Sequence, residues 1–374
     1  MRQSTLIDPE ISAQISWDQL DDQAAVEAHM AKWAPRFLLT LNLDGTNDRQ
    51  GPTPDFILSV GAVYGYVIIG EIRHHGVFFL EGEPGIGKTQ VWQVLYEALA
   101  GEHGHGYAKQ VTADFISKNG EGHRFDISMI IGKRMLFLDE TMMAMSFDEA
   151  RMSNLASGKT MECEIKFGRD SVKFANRAKL CISGNHRPHF ISGEAGGLAS
   201  RLMLFEAKGK SLRGSAIGIN NVATQIVQDE GPAILMWAIQ NAWLDYAAEG
   251  HTRYHRLMAT AKAAAAEYTR QDSPVVQWVD DCMELSLEFD IDLVDALKDY
   301  IAYHKDFGEK RKPRPTDLKR LLLAAYKDLE WDTRKGGEHP NRVYIKGLGR
   351  KRPTEAFGNV VPFQAHAQPK PEGK

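Results

Sequence analysis

Cysteine is scarce in this 374-residue chain, which has only Cys163, Cys181 and Cys282, far apart and never in a CxxC spacing. Isolated thiols exclude a disulfide framework and argue against a zinc site. The chain also lacks a long hydrophobic run, because its most apolar stretch, VGAVYGYVIIG at 60–70, is too short to cross a bilayer. The opening residues MRQSTLIDPE lack the apolar core of a signal peptide. We therefore expect a soluble, cytoplasmic protein without a membrane partner.

An excess of positive charge is absent too, since the formal net charge of −4 excludes a uniformly basic coat for nucleic acid. The charge is nevertheless placed unevenly. Residues 309–374 contain 16 Lys and Arg against 8 Asp and Glu, which gives +8 there and −12 over residues 1–308. A basic end on an acidic protein indicates either a local contact with a polyanion or a solvated tail.

Short apolar runs alternate with helical segments from about residue 76, and this alternation predicts an α/β fold. Continuous apolar runs of this length are typical of central strands in a sheet covered on both faces. The runs are GVFFL (76–80), RMLFLDE (134–140), KLCISGN (179–185) and RLMLFEA (201–207).

Helical patterns flank these runs on both sides and divide the chain. Amphipathic helices are predicted over residues 8–50, with Trp17, Leu20, Val26, Trp33 and Phe37 as core positions. After the sheet, helical patterns cover 221–248, 256–268, 275–287, 291–306 and 316–330, and RVYIKGL (342–348) is a predicted strand. We predict a helical N-terminal region over 1–72 for oligomerisation or a collar, an α/β domain over 73–255, a further domain over 256–350 and a disordered tail over 351–374.

The stretch GEPGIGKTQ matches the pattern G-x-x-x-x-G-K-[ST]. An apolar strand precedes it and an amphipathic helix follows, which is the context that a phosphate-binding loop needs. We predict ATP and Mg²⁺ as cofactors, with Lys88 on the β- and γ-phosphates and Thr89 on the metal; an ordinary glycine-rich turn is the alternative. The predicted nucleotide contacts are Gly82, Glu83, Pro84, Gly85, Ile86, Gly87, Lys88, Thr89 and Gln90.

Polar residues end the next two apolar runs. Asp139 and Glu140 follow one buried strand, where they are expected to hold Mg²⁺ and to polarise the attacking water. Asn185 ends the next strand and is expected to position the water or to sense the γ-phosphate. Arg201 opens the fourth run, just before the predicted strand, and is either a surface charge or a finger that reaches a neighbouring subunit's nucleotide.

The stretch from about 56 to 207 resembles superfamily 3 helicases, specifically the helicase portion of phage, satellite and poxvirus-type primase–helicases. GYVIIGE is similar to the family's lead-in, and VTADFISKNGEGHRFDISMIIGKRMLFLDE to its acidic strand. LASGKTMECEIKFGRDSVKFANRAKLCISGNHRP resembles its hairpin and sensor strand, and LASRLMLFEA the segment with its arginine finger. Residues 273–348 look like the winged-helix end of these proteins.

The resemblance implies an AAA+ ring, usually a hexamer, that pulls a single strand through its centre and unwinds DNA. It implies that Asp139 holds the metal and that Glu140, Asn185 and Arg201 are the catalytic water activator, sensor and trans-acting finger. Single-stranded and forked DNA, a homo-oligomeric ring and a separate primase or polymerase are the partners it implies. The residues from Met161 to Phe174 become the hairpin that tracks along DNA.

Within that hairpin, Lys166, Arg169 and Lys173 are the predicted DNA contacts. Lys159 departs from the family pattern, which usually has an acidic residue after the glycine. Glu162 and Glu164 stand where basic residues are frequent. A surface hairpin with no role in DNA binding is therefore the alternative.

Two functional classes remain open at this point. One is a ring motor for the replication of a phage or mobile element. The other is a non-translocating AAA+ initiator or helicase loader that binds DNA under nucleotide control. The hairpin favours the motor, since a loader has no need of it. The pair His74–His75 lacks neighbouring ligands and is interpreted as surface histidines.

Overall fold

The computed structural model describes residues 10–41, 56–101, 105–117, 126–140, 148–164, 171–187, 198–207, 222–247, 250–304, 313–334 and 342–351. Contacts divide the chain into two compact units, Met1–Ser273 and Pro274–Lys374. Among the described residues, no helix is both long and apolar enough to cross a membrane.

The first unit is a mixed α/β structure built on a parallel central sheet. Its strands are β1 (Val77–Gly82), β2 (Ala108–Gln110), β3 (Met135–Asp139), β6 (Lys179–Gly184) and β7 (Leu202–Ala207). They lie in the order β2-β3-β6-β1-β7, and every neighbouring pair is parallel. The apolar runs of the sequence therefore form strands of this sheet, as predicted. Two further strands, β4 (Thr160–Glu164) and β5 (Ser171–Ala175), form a separate antiparallel hairpin.

Helices cover both faces of the sheet. Successive side chains of each strand point to opposite faces, so each strand contributes to two cores. Phe78 and Leu80 of β1 belong to one core cluster, and Val77 and Phe79 belong to the other. The first cluster includes α1 (Gln23–Trp33), α2 (Pro35–Thr40), α3 (Phe56–Ile68), α4 (Lys88–Ala100), α7 (Val222–Tyr246) and α8 (Gly250–Leu257). The second includes α5 (Ala113–Ile116), α6 (Glu149–Ala156) and α9 (Ala259–Gln271).

Helix α3 contains the most apolar stretch of the chain and is buried along most of its length. Its glycines permit a close approach to α7. A Cβ on Gly61 would lie 2.6 Å from the Trp237 ring, and one on Gly65 would lie 2.5 Å from the backbone nitrogen of Ala242. Residues 60–68 of the apolar run thus belong to a buried core helix.

Three details of the first unit differ from expectation. Leu20, Val26 and Phe37 are buried as predicted, but Trp17 is 45% exposed. The expectation that His74 lies on the surface is wrong. Its side chain is buried, Nε2 lies 3.1 Å from Asp245 Oδ1, and its ring stacks on Tyr254. Helix α9 packs against β7 in the first unit, whereas the predicted division at 256 assigned it to the next domain.

The described residues of the second unit form three helices and a small antiparallel sheet. In chain order it has α10 (Pro274–Cys282), β8 (Met283–Asp292), α11 (Leu293–His304), α12 (Pro315–Ala325), β9 (Glu330–Arg334) and β10 (Arg342–Arg350). The strands lie in the order β8-β10-β9. Trp278, Leu318, Leu322 and Ile345 are fully buried in its core.

Strand β8 corrects the helical pattern predicted over 275–287, since the helix ends at Cys282. The sequence MELSLEFDID carries apolar side chains at alternate positions from Met283 to Ile291, which is the period of a strand. The signal was therefore present, and a helical interpretation overlooked the change of period. The predicted tail over 351–374 lies outside the described residues except for Lys351.

Candidate nucleotide site

The carboxyl ends of the parallel strands form one edge of the sheet, which we call the carboxyl edge. The segment after β1 turns sharply here, with Gly85 at φ 82° and Gly87 at φ 93°, in the left-handed region that favours glycine. Gly82 is equally constrained, because a Cβ there would lie 2.5 Å from the carbonyl oxygen of Ala207. Helix α4 begins at Lys88, directly after the loop. The predicted strand, glycine loop and helix are thus present.

Lys88 is buried at the base of this loop. Its Nζ donates to the carbonyl oxygen of Glu83 at 3.1 Å and to Oδ1 of Asn185. Burial lowers the pKa of Lys88, while the carboxylates of Asp139 and Glu140 oppose that shift. The loop therefore holds a preorganised ammonium group beside an acidic strand end, as phosphate binding requires.

Thr89 and Asp139 meet across the site. The Thr89 hydroxyl donates to Asp139 Oδ1 at 3.0 Å. Burial raises the pKa of Asp139, and the Thr89 hydrogen bond and the Lys88 charge oppose the rise. A hydroxyl and a carboxylate at this separation are oxygen donors of the kind that Mg²⁺ prefers.

Glu140 has a left-handed backbone, with φ 71°, although it is not a glycine. Its N–H donates to the carbonyl oxygen of Ser183 at 2.9 Å, which holds this conformation against the next strand. Asn185 Nδ2 donates to Glu140 Oε1 at 3.3 Å. Strain of this kind is often retained at functional sites.

The strand order explains how these side chains meet. Because β6 lies between β1 and β3, Asn185 at its end stands between Lys88 and Glu140 and contacts both. The structure therefore brings together Lys88, Thr89, Asp139, Glu140 and Asn185, all of them site residues predicted from the sequence. Their catalytic roles stay predictions.

Arg201 lies at the opposite end of the sheet. It ends a short 3-10 turn just before β7, and Leu202 pairs with Val77 at the start of β1. Six residues of strand separate it from the carboxyl edge, about 20 Å at ~3.3 Å per residue. Its Nη1 donates to the carbonyl oxygen of Ser153 at 3.4 Å. Arg201 is therefore not part of the cluster in its own subunit.

The β4–β5 hairpin has a mixed charge. Lys173 pairs in register with Glu162, its Nζ lies 3.8 Å from Glu162 Oε2, and both side chains are exposed. Lys166 and Arg169 lie outside the described residues. The predicted hairpin is present, and an acidic partner offsets the one described cation of the three proposed for DNA.

Sequence reasoning missed a second polar group at the carboxyl edge. Arg187, two residues beyond Asn185, donates through Nε to Glu81 Oε2 at 2.5 Å and through Nη2 to Glu206 Oε1 at 2.5 Å. These carboxylates belong to the second-last residues of β1 and β7. The sequence contains a signal for this group, because acidic residues stand at or directly after the end of three of the four apolar runs.

Metal-ligating side chains do not cluster elsewhere: among the described residues, no group of three or more His, Cys, Asp and Glu side chains is placed to hold a metal ion. The Thr89–Asp139 pair needs bound phosphate or water to complete a coordination sphere, as is usual for Mg²⁺.

Comparison with known proteins gives distant likenesses. A family of unknown function, DUF5906, matches residues 80–201, which is less than half of the chain. A search among curated proteins gives no match. The apo structure of the NrS-1 C-terminal region (305–718) is similar at 15% identity and a TM-score of 0.47, over 84% of this chain and 76% of that one.

The SCCmec type IV Cch active helicase is similar at 10% identity and a TM-score of 0.38, over 92% of this chain and 71% of that one. At such identities a likeness assigns no activity to the chain. Function is therefore argued from the site.

Proposed function

We propose that this chain is an ATP-dependent DNA helicase of the superfamily 3 type, a ring translocase that serves the replication of a phage or mobile element. One observation carries the proposal. Behind a glycine loop, the contacts Thr89–Asp139 and Lys88–Asn185–Glu140 join the residue types that phosphoryl transfer to water requires.

The site residues fit ATP with Mg²⁺. The loop from Gly82 to Gln90 would hold the phosphates with its backbone N–H groups, and Lys88 would add charge at the β- and γ-phosphates. Thr89 and Asp139 would hold the metal. When bound, the nucleotide supplies the phosphoryl group that passes to water. Glu140 would accept the proton of that water, and Asn185, in contact with Glu140, would hold the water in line.

The charge at the carboxyl edge supports a contribution from another subunit. Two cationic side chains face five carboxylates among the described residues there, a formal net charge of −3: Lys88 and Arg187 against Glu81, Glu83, Asp139, Glu140 and Glu206. A polyphosphate entering such a site needs Mg²⁺ and a further cation. Arg201, at the far end of the sheet, meets this need only from a neighbouring copy.

A contact that joins opposite ends of two copies is head-to-tail, and such contacts form a ring when the rotation between copies closes and an open filament when it does not. We therefore propose a homo-oligomeric ring, a hexamer by resemblance, with Arg201 of each subunit at its neighbour's nucleotide. The β4–β5 hairpin is the proposed grip on single-stranded DNA in the centre of the ring.

The second unit is the proposed winged-helix domain. Its order of helix, strand, two helices and two strands, with the last strand in the middle of the sheet, supports that assignment. Forked DNA is its proposed ligand, and a separate primase or polymerase is the proposed protein partner of the ring. A non-translocating initiator or loader is the second candidate, and the hairpin favours the motor over it.

Two assays test the proposal together. We expect ATP hydrolysis that single-stranded DNA stimulates, and ATP-dependent unwinding of a forked duplex. Hydrolysis without stimulation or unwinding would support the initiator or loader instead. A chain that neither binds nor hydrolyses ATP in the presence of Mg²⁺ would overturn both candidates.

A further inference from the structure

Arg187 joins the ends of three adjacent strands. It follows β6, and its two partners are the second-last residues of β1 and β7, the next two strands on one side of β6. Glu81 and Glu206 are register partners in the parallel ladder, so two carboxylates lie side by side. Such a pair is destabilising without a cation between them. The planar guanidinium is suited to this position, because it donates to both carboxylates at once.

The same guanidinium packs against α9, the last helix of the first unit. Its carbon stands 5.2 Å from the ring centroid of Tyr268, a buried residue in the last turn of α9. The N–H of Asp272 donates to the carbonyl oxygen of Tyr268 at 2.9 Å. The second unit begins two residues later, at Pro274.

Arg187 is also connected to the proposed nucleotide site in two ways, through its partner Glu81 and through the chain that links it to Asn185. Glu81 directly precedes Gly82, the first residue of the loop. Asn185, two residues before Arg187, contacts Lys88 and Glu140. A phosphate that draws Lys88 away from Asn185 therefore acts on a segment that includes Arg187.

We propose that Arg187 is a coupling residue, which transmits occupancy of the phosphate loop through Glu81, Glu206 and Tyr268 to helix α9 and so to the second unit. The inference rests on the proposed function, because it needs a nucleotide at the loop. It assigns a role to a residue outside the loop, the acidic strand end and the sensor position. Coupling of this kind changes the affinity of one site by about 5–150-fold when the other is filled.

Cys282 offers a readout in the second unit of the full-length chain. It is exposed, whereas Cys163 and Cys181, the remaining cysteines of the sequence, are buried. An environment-sensitive maleimide dye therefore reports from residue 282. We expect a non-hydrolysable ATP analogue with Mg²⁺ to change the dye's emission in the wild-type chain. Arg187→Met at saturating analogue should abolish the change, and Arg187→Lys should reduce it, since an ammonium does not bridge both carboxylates.

Arg270→Met is the matched control. Arg270 lies on the same helix, two residues from Tyr268, and pairs with the exposed Glu267. The dye response of this variant should equal that of the wild type. Equal loss of response in Arg187→Met and Arg270→Met would overturn the proposal, because any change on α9 would then have the same effect.

A second variant separates coupling from simple neutralisation of charge. In Arg187→Met combined with Glu206→Gln, the two carboxylates no longer repel each other. If Arg187 only neutralises them, the dye response returns, and the proposal is overturned. The proposal predicts that the response stays absent while thermal stability recovers.

A DNA-binding measurement gives an independent check. The ratio of DNA dissociation constants with ADP and with the ATP analogue should lie within about 5–150 for the wild type and near 1 for Arg187→Met. A fluorescent nucleotide measures loop occupancy separately. A chain that binds no nucleotide overturns the proposed function, whereas a chain that binds nucleotide with an unchanged ratio in Arg187→Met overturns only the coupling.

Discussion

The two regions proposed to act on different ligands are built very differently. At the carboxyl edge, the predicted nucleotide residues from three strands contact one another. In the regions proposed for DNA, four of the described cations pair with carboxylates instead. Lys173 lies opposite Glu162, and in the second unit Arg334, Arg342 and Arg350 pair with Asp290, Asp292 and Asp299.

This difference shows what each kind of sequence signal specifies. The described part of the second unit holds ten Lys and Arg against twelve Asp and Glu, so it is slightly acidic. Within 309–374, the described residues carry +5 of the +8, and the acidic residues of 274–304, at −7, reverse the sign for the described part of the unit. Polar residues at the ends of predicted strands identify the side chains that form a site. A charge count identifies only the stretch of chain that carries the charge.

Among changes at the proposed nucleotide site, Arg201→Ala should have the largest effect on ATP hydrolysis. Because it removes the proposed trans cation, hydrolysis should fall by about 10³–10⁵-fold while nucleotide binding is retained. Steady-state ATPase and fluorescent-nucleotide titration measure the two quantities. Arg177→Ala, an exposed arginine before β6, is the matched control and should keep its activity. Equal losses in the two variants would contradict a specific role for Arg201.

Glu140→Gln and Lys88→Ala should separate chemistry from binding. Glu140→Gln keeps the shape of the side chain and removes the base, so we expect binding to persist and hydrolysis to fall by about 10²–10⁴-fold. Lys88→Ala removes the ammonium at the base of the loop and should weaken nucleotide binding itself. Isothermal titration with a non-hydrolysable analogue distinguishes them, and an equal loss of affinity in both variants would refute the separate roles.

Changing Lys166, Arg169 and Lys173 together to Ala tests the hairpin. We expect basal ATPase and ring assembly to remain, and DNA-stimulated ATPase and unwinding to collapse. Each lost phosphate contact should reduce the salt slope of single-strand binding by ~0.7. Unwinding of a fork at the wild-type rate would remove the hairpin from the DNA path.

Glu162→Gln sharpens the same test. It frees Lys173 from its acidic partner across the hairpin, so the salt slope for single-stranded DNA should steepen if Lys173 reaches phosphate. Glu164→Gln, on the same strand, is the control for simple loss of negative charge. Equal changes in the two variants would indicate a general field rather than a contact by Lys173.

The smallest effect concerns pH. Burial raises the pKa of Asp139, and Mg²⁺ binds the ionised carboxylate. Lowering the pH through this raised pKa should therefore weaken Mg²⁺ binding tenfold per unit, at a higher pH than for an ordinary aspartate. Thr89→Ser keeps the hydroxyl that opposes the shift, whereas Thr89→Val removes it and should move the midpoint further upward. Mg²⁺ titrations of nucleotide binding at several pH values measure this midpoint. Identical midpoints in Thr89→Ser and Thr89→Val would argue against the Thr89–Asp139 pair as the metal site.

Much of the site was predictable because its signals are local. A glycine loop between a strand and a helix, and polar residues at strand ends, are fixed by short stretches of sequence. The strand order was not predictable, and it alone places Asn185 between Lys88 and Glu140. His74 shows the same limit, since its partner Asp245 is 171 residues away. Strand β8 differs from its prediction for another reason, because its period of two begins at Met283, directly after the end of a helix.

The claim that a neighbouring subunit completes each nucleotide site is tested most directly by mixing two inactive variants. Subunits with Glu140→Gln retain Arg201, and subunits with Arg201→Ala retain Glu140. In rings that exchange subunits, we predict ATPase activity above that of either variant alone, because some interfaces then combine an intact Glu140 with an intact Arg201. No recovery, with exchange verified by labelled subunits, would contradict a site shared between copies.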